Sequence, residues 1–131
     1  MSVINEVLLS VVDMAQEADV FSPITVGPMP ADNSISIAIA SGGPDATFID
    51  KGMAYTLDLV MNGKHQSQQI VSDALHDIHQ MLTQTKTYPE TTTWQITNIE
   101  TLTTPTYIGR EENKQYLYGS SLLVRFYYKK G

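Results

Sequence analysis

The chain has 131 residues and a mass of 14.5 kDa, enough for one domain that buries roughly two-thirds of its unfolded surface. An apolar content of 42%, a charged content of 17% and a mean hydropathy of −0.13 exclude a disordered chain, and no apolar run approaches the roughly 20 residues of a spanning helix. Fourteen carboxylates against eight Lys and Arg give a charge of −6, which repels nucleic acid, and the absence of Cys excludes disulfides, thiolate metal sites and a cysteine nucleophile. The opening Met1-Ser2-Val3-Ile4-Asn5-Glu6 has neither a basic region nor an uninterrupted apolar stretch, so a signal peptide is not expected.

Ile4, Val7, Leu8, Val11, Met14 and Ala15 recur at three and four residue steps, which predicts an amphipathic first helix with Ser2 at its N-cap. Pro23, Gly27, Pro28 and Pro30 break that pattern and carry the chain onward in extended or turn conformation. Ile35, Ile37 and Ile39 alternate with small residues as a short strand, which Ser41-Gly42-Gly43-Pro44-Asp45 is expected to end in a hairpin tip, a flexible loop over about 41–50. Met53, Tyr55, Leu57, Leu59 and Met61 keep a clean period of two, the mark of a half-buried antiparallel strand, and Asn62-Gly63 is expected to stop it.

A second helix is predicted from about Ser67 to Thr83, with Val71, Ala74, Leu75, Ile78, Met81 and Leu82 on its apolar stripe. Eleven threonines lie between residues 83 and 106, and the span Thr92 to Leu102 reads as a strand that turns Trp94, Ile96 and Ile99 toward the core. Gly109 to Lys114 reads as a polar turn. The closing strand, Gln115 to Lys129, puts Tyr116, Tyr118, Ser120, Leu122, Val124, Phe126 and Tyr128 on one face and Leu117, Leu123, Arg125 and Tyr127 on the other. A strand with so little polar face at the end of a chain implies an edge covered by a helix or another subunit. The fold class is therefore α/β of the α+β kind: one domain over 1–131, a mainly antiparallel sheet of about four to five strands, two main helices and a terminal hairpin over about 92–129.

Charge is unevenly placed. Residues 1–58 hold eight carboxylates against Lys51 alone, a net of −7, whereas residues 59–131 hold seven cations and six acids. Such asymmetry is either a solvated acidic face or one of two complementary edges on neighbouring copies.

Chemistry is sparse. His76 and His79 are three apart on the second helix beside Asp73 and Asp77, and His65 lies a turn away; with no third ligand in view they read as surface histidines rather than a metal site. No Gly-x-Ser-x-Gly elbow occurs, Gly42-Gly43 lacks a following Walker lysine, and Asp45, Asp50 and Asp58 form no compact acid-base pair. These observations point away from an enzyme, with no cofactor and no metal.

The stretch Thr104-Pro105-Thr106-Tyr107-Ile108-Gly109-Arg110-Glu111-Glu112-Asn113-Lys114-Gln115-Tyr116-Leu117-Tyr118, running into Leu122-Leu123-Val124-Arg125-Phe126-Tyr127-Tyr128, resembles the ending of the small minor capsid or tail terminator proteins of long-tailed bacteriophages. The layout of helix, glycine-rich hairpin, second helix, Trp-bearing strand and long closing strand resembles that family along nearly the whole chain. The resemblance implies a structural virion protein that closes into a six-membered ring at the head-proximal end of the tail, assembled in the host bacterial cytoplasm. Its partners would be further copies of itself, the tail tube protein and a head completion or connector protein, with DNA passing through the lumen without specific binding. On that reading Arg110, Glu111, Glu112 and Lys114 form a polar turn at the ring surface, and Tyr116, Tyr118, Phe126, Tyr127 and Tyr128 pack the sheet or a neighbour, flanked by Arg125 and Lys129. Two other readings stay open: a head-tail connector of the same virion, and a small α+β ligand-binding or enzyme domain whose pocket, between helices and sheet, would use the histidines and Trp94.

Overall fold

Alternation at Leu57, Leu59 and Met61 puts three fully buried side chains on one face of a strand, and that strand is the centre of a five-stranded sheet. The structure, a computed structural model, describes residues 3–29, 32–47 and 53–128. In chain order the elements are α1 (Val3–Gln16), β1 (Ile24–Val26), β2 (Ser34–Thr47), β3 (Met53–His65), α2 (Gln68–Gln84), β4 (Trp94–Arg110) and β5 (Tyr116–Tyr128). The strands lie in the order β1-β2-β3-β5-β4; β1 runs parallel to β2 and every other neighbouring pair is antiparallel. The protein is thus an α+β fold of two layers. Both helices pack on one face of the sheet, α1 toward β1 and β2, α2 over β3, β5 and β4.

Helix α1 buries Val7, Leu8, Val11, Val12 and Ala15, as its spacing predicts, while the expected cap Ser2 lies outside the described residues. Helix α2 buries Val71, Ala74, Leu75, Ile78, His79 and Leu82 and is capped by Ser67, whose hydroxyl accepts from the Ile70 N–H at 3.3 Å. Its C-terminal end has no basic residue. Hydroxyls from the threonine-rich segment satisfy its last carbonyls instead: Thr83 donates to His79 O at 2.8 Å, Thr85 to Met81 O at 2.6 Å and Tyr88 to Leu82 O at 2.8 Å.

Several boundaries differ from expectation. Strand β2 does not end at Ser41; it continues to Thr47, pairing Gly42 with Leu57 and Pro44 with Tyr55 across irregularities after Ile39 and Pro44, and residues 48–50 of the expected loop lie outside the described residues. Bulges accept residues that interrupt a regular ladder, which is how Gly-Gly-Pro is carried here. Strand β3 likewise runs through Asn62-Gly63 to His65, because β2 and β5 pair with it on both sides and leave no turn to make. Ile24–Val26, expected only as extended or turn chain, is a fifth strand.

Gly63 serves packing rather than a turn. A Cβ there would come 2.8 Å from Val71 Cγ2 and 3.4 Å from Leu75 Cδ2, and both of those side chains are fully buried and cannot swing away. Gly63→Ala is therefore expected to destabilise the protein by about 1–3 kcal/mol, read as a lower urea midpoint at unchanged slope. An unchanged midpoint would show that α2 seats less closely on β3 than this.

The largest correction concerns β5. It is not an edge; β3 and β4 pair with it along its whole length, from Met53↔Tyr128 to His65↔Tyr116 on one side and from Trp94↔Tyr128 to Arg110↔Tyr116 on the other. The edges are β1 and β4. Strand β4 has 17 residues against the 13 of β5, and the four extra residues enter as four register shifts, between Ile96 and Asn98, Thr101 and Thr103, Thr103 and Thr106, and Tyr107 and Gly109.

Candidate subunit interface

The side chains of β3 and β5 that point away from the helices meet no second layer among the described residues. Across the sheet they form rows: Asn62 beside Gly119 and Thr106, Val60 beside Ser121 and Thr103, Asp58 beside Leu123 and Glu100, Thr56 beside Arg125 and Asn98. Val60, Leu117, Leu123 and Tyr127 are half-buried there by their neighbours alone. Gly119 shapes the surface: a Cβ at that position would lie 2.5 Å from Ile108 Cδ1, so its absence lets Ile108 of the edge strand lie down over β5. Beside it opens a shallow hollow of about 340 Å³ lined by Val60, Asn62, Thr103, Thr106, Ile108, Gly119, Ser120 and Ser121.

Apolar side chains are exposed on both flanks of the sheet. On β4, Leu102 is 50% exposed, Tyr107 49% and Ile108 58%; on the opposite flank Leu9 of α1 is 41% exposed and Val26 of β1 46%. A large aliphatic group left in water at a strand edge forgoes its transfer free energy, roughly 1.5–3 kcal/mol for a fully buried side chain. Charge is uneven along the chain as well. Glu6, Asp13, Glu17 and Asp19 belong to α1 and the turn after it with no described cation before Lys64, whereas from residue 86 to residue 128 four cations face four acids.

The expected interaction residues fall into two groups that the fold keeps apart. Arg110 ends β4 with its guanidinium 5.3 Å from the Tyr116 ring centroid, and Tyr107 adds a tilted contact with that ring at 6.4 Å. The turn itself is tighter than expected, Glu111 to Lys114. It is closed by the Glu111 N–H donating to Gln115 O at 2.8 Å and the Lys114 N–H donating to Glu111 O at 2.9 Å, with Lys114 in the left-handed region at φ 68°. Glu111 pairs with Lys64 at 3.5 Å, and Glu112 is exposed. Arg125 and Tyr127 lie about 30 Å further along β5, where Arg125 pairs with Glu100 at 3.2 Å on the bare face. Tyr118 belongs to the core instead: it is buried, stacks edge-on with Tyr107 at 5.8 Å, and its hydroxyl accepts from Gln68 Nε2 at 2.7 Å. Phe126 is also buried and lies parallel to Tyr55 at 5.3 Å, so these two aromatics pack the sheet and not a neighbour. Lys129 lies outside the described residues.

Gln115 was not singled out by sequence. It is fully buried beneath the turn, where its Oε1 accepts from the Asn33 N–H at 2.8 Å, while Asn113 Nδ2 donates to Asp32 at 2.7 Å. These bonds tie the entry of β2 to the β4–β5 turn across the end of β3.

The histidines do not sit together on the surface. His79 is 5% exposed, with Thr101 Oγ1 at 2.9 Å from Nδ1 and Ser120 Oγ at 2.8 Å from Nε2, and the Ser120 hydroxyl donates to Met61 O at 3.2 Å. Since Ser120 spends its proton on Met61, Nε2 donates to Ser120 and Nδ1 accepts from Thr101, a chain satisfied by the neutral ring. Burial, reinforced by the charge of His76, lowers the His79 pKa from 6.5 to about 4. His76 is exposed and donates from Nδ1 to Ser72 O at 2.8 Å, and among the described residues no three His, Asp or Glu side chains converge on a point. Trp94, at 2% exposure, is packed into the core with His79, so neither lines the ligand pocket expected for an enzyme domain.

No protein-family model matches the sequence, and no curated protein matches it. Among solved structures, a chain from the virion of a native gene transfer agent particle superposes with a TM-score of 0.67 at 9% sequence identity, over 97% of this chain and 99% of that one. At that identity the likeness is one of fold, and it extends over both chains nearly end to end.

Proposed function

We propose that this protein is a structural, non-catalytic subunit of a phage-like virion, and within it a tail terminator: a ring, most simply of six copies, that caps the tail tube, stops its growth and offers the surface to which the filled head is joined. The observation that carries the reading is the match of fold, over 97% of this chain and 99% of the other, to a chain of a gene transfer agent virion. The sequence resemblance to tail terminators supports the finer role. So does the shape of the subunit, a two-layer domain with one sheet face uncovered among the described residues and exposed aliphatics on both flanks. A cyclic ring needs a heterologous contact, which joins two different surfaces of the same chain, and the two flanks differ in charge. The partners are then further copies of this chain, the tube protein below and a connector above, with DNA passing through an acidic or neutral lumen to which it does not adhere.

Electron microscopy of particles produced without this protein tests the role. Overlong tails are expected. Tails of normal length beside unattached heads would instead make it a head-tail connector, and particles of normal form would overturn a role in the virion.

A further inference from the structure

We propose that the contact between neighbouring copies is made by the α1–β1 flank of one subunit seated against the β4 edge of the next. This inference rests on the ring reading and names its interface. The sheet order is what brings it out. Because β1 and β4 are the two edges and α1 packs toward β1 and β2, Glu6 and Asp13 of α1 belong to one flank, whereas β4 carries Glu100 and Arg110 on the other. The contrast that is only sequential along the chain thereby becomes a contrast between two surfaces that face neighbours.

Each flank presents what the other lacks. Leu102 stands out from β4 and Ile108 lies exposed over Gly119, with Arg110 at the end of that strand and the hollow beside Ile108 open to an aliphatic side chain. Leu9 and Val26 stand out from the opposite flank, Leu9 on α1 between Glu6 and Asp13, three and four residues away on the helix. A two-fold contact of β4 against β4 would leave Leu9 and Val26 in water on both copies. The heterologous contact covers both sets in every copy, and it repeats around a ring. Four register shifts in β4 interrupt the regular row of N–H and C=O groups that an added strand would need, so the contact is made by side chains and does not extend the sheet.

The chain contains no Cys, so single cysteines report the contact without background. Val26→Cys and Leu102→Cys replace exposed side chains, and unchanged melting curves verify that each variant folds. The two variants are mixed in equal amounts and oxidised; a short bis-maleimide reagent covers pairs whose Cα atoms lie beyond the roughly 7 Å that a disulfide tolerates. Light scattering of the wild-type protein, alone and with tail tube protein, measures assembly separately. The expected result is an oligomer in which mixed Val26→Cys/Leu102→Cys dimers exceed self-linked dimers of either variant by at least tenfold. An oligomer without mixed dimers overturns this interface and leaves the ring. Dominant Leu102→Cys self-linking overturns it in favour of a two-fold contact. A strict monomer in every condition overturns the ring reading, and the interface with it.

Discussion

Lowering the pH from 7 to 4 is expected to reduce the unfolding free energy by about 3 kcal/mol through His79 alone. The unfolded chain takes up the imidazole proton near 6.5, whereas in the folded protein desolvation and the nearby His76 hold the same group to about 4. Between those values the unfolded state binds a proton that the native state refuses, so stability rises with pH across this window. The full contribution is present above about 6.5 and is lost as the pH falls toward 4. The structural cause is burial: His79 is 5% exposed, and the chain of bonds through Thr101, His79, Ser120 and Met61 satisfies the ring in its neutral form. The measurement is the difference between wild type and His79→Gln, which isolates the imidazole from every other proton-binding group. Urea unfolding at half-unit pH steps should show the wild-type curve falling toward the variant's by about 3 kcal/mol between pH 6.5 and pH 4. Parallel curves would mean that His79 titrates as an ordinary histidine.

Trp94→Ala is expected to cost about 3–5 kcal/mol, a large part of the roughly 5–15 kcal/mol that holds a domain folded. Trp94 is the largest of the fully buried side chains and opens β4 on the helix-covered face. The contrast with Trp94→Phe is the sharper test. Nε1 is buried with no acceptor among the described residues, so phenylalanine loses volume but also deletes a donor whose burial costs about 1–3 kcal/mol. The phenylalanine variant should therefore stay within about 1 kcal/mol of wild type. Because Trp94 is the only tryptophan, unfolding must be followed by circular dichroism. Equal losses in the two variants would show that the indole nitrogen is bonded in the native protein.

Elements with an uninterrupted period were legible in the residues. The stripe of α2 and the alternation of β3 follow from 3.6 and 2 residues per repeat, and burial follows parity at Leu57, Leu59 and Met61 and at Leu122, Val124 and Phe126. Strand β4 was legible only to Leu102 because each bulge inserts one residue and reverses the facing of all that follow. Past Thr103 two further shifts cancel the alternation through Thr104-Pro105-Thr106-Tyr107-Ile108. His79 carried a readable signal that was passed over: it lies four residues after Leu75 and three before Leu82, on the border of the buried stripe. Gln115 carried none, since its burial depends on Asn33, which is remote in sequence and reaches it only when β2 enters beside the β4–β5 turn.

The candidate interface divides the same way. The polar turn at Glu111 to Lys114 and the acidic first half are properties of consecutive residues, and reading them requires no fold. That β5 is interior and β4 is the edge is not such a property. Strand order is chosen by long-range pairing, in which β3 takes β5 as its neighbour across a helix and a strand, and no local period records which partner a strand will find. Composition and period thus dictate an α+β fold of two helices and a mainly antiparallel sheet, because burial of an apolar face is a local demand. Only the tertiary structure decides which strands are left at the edges, and therefore which aliphatic side chains are offered to a neighbour and against which charge.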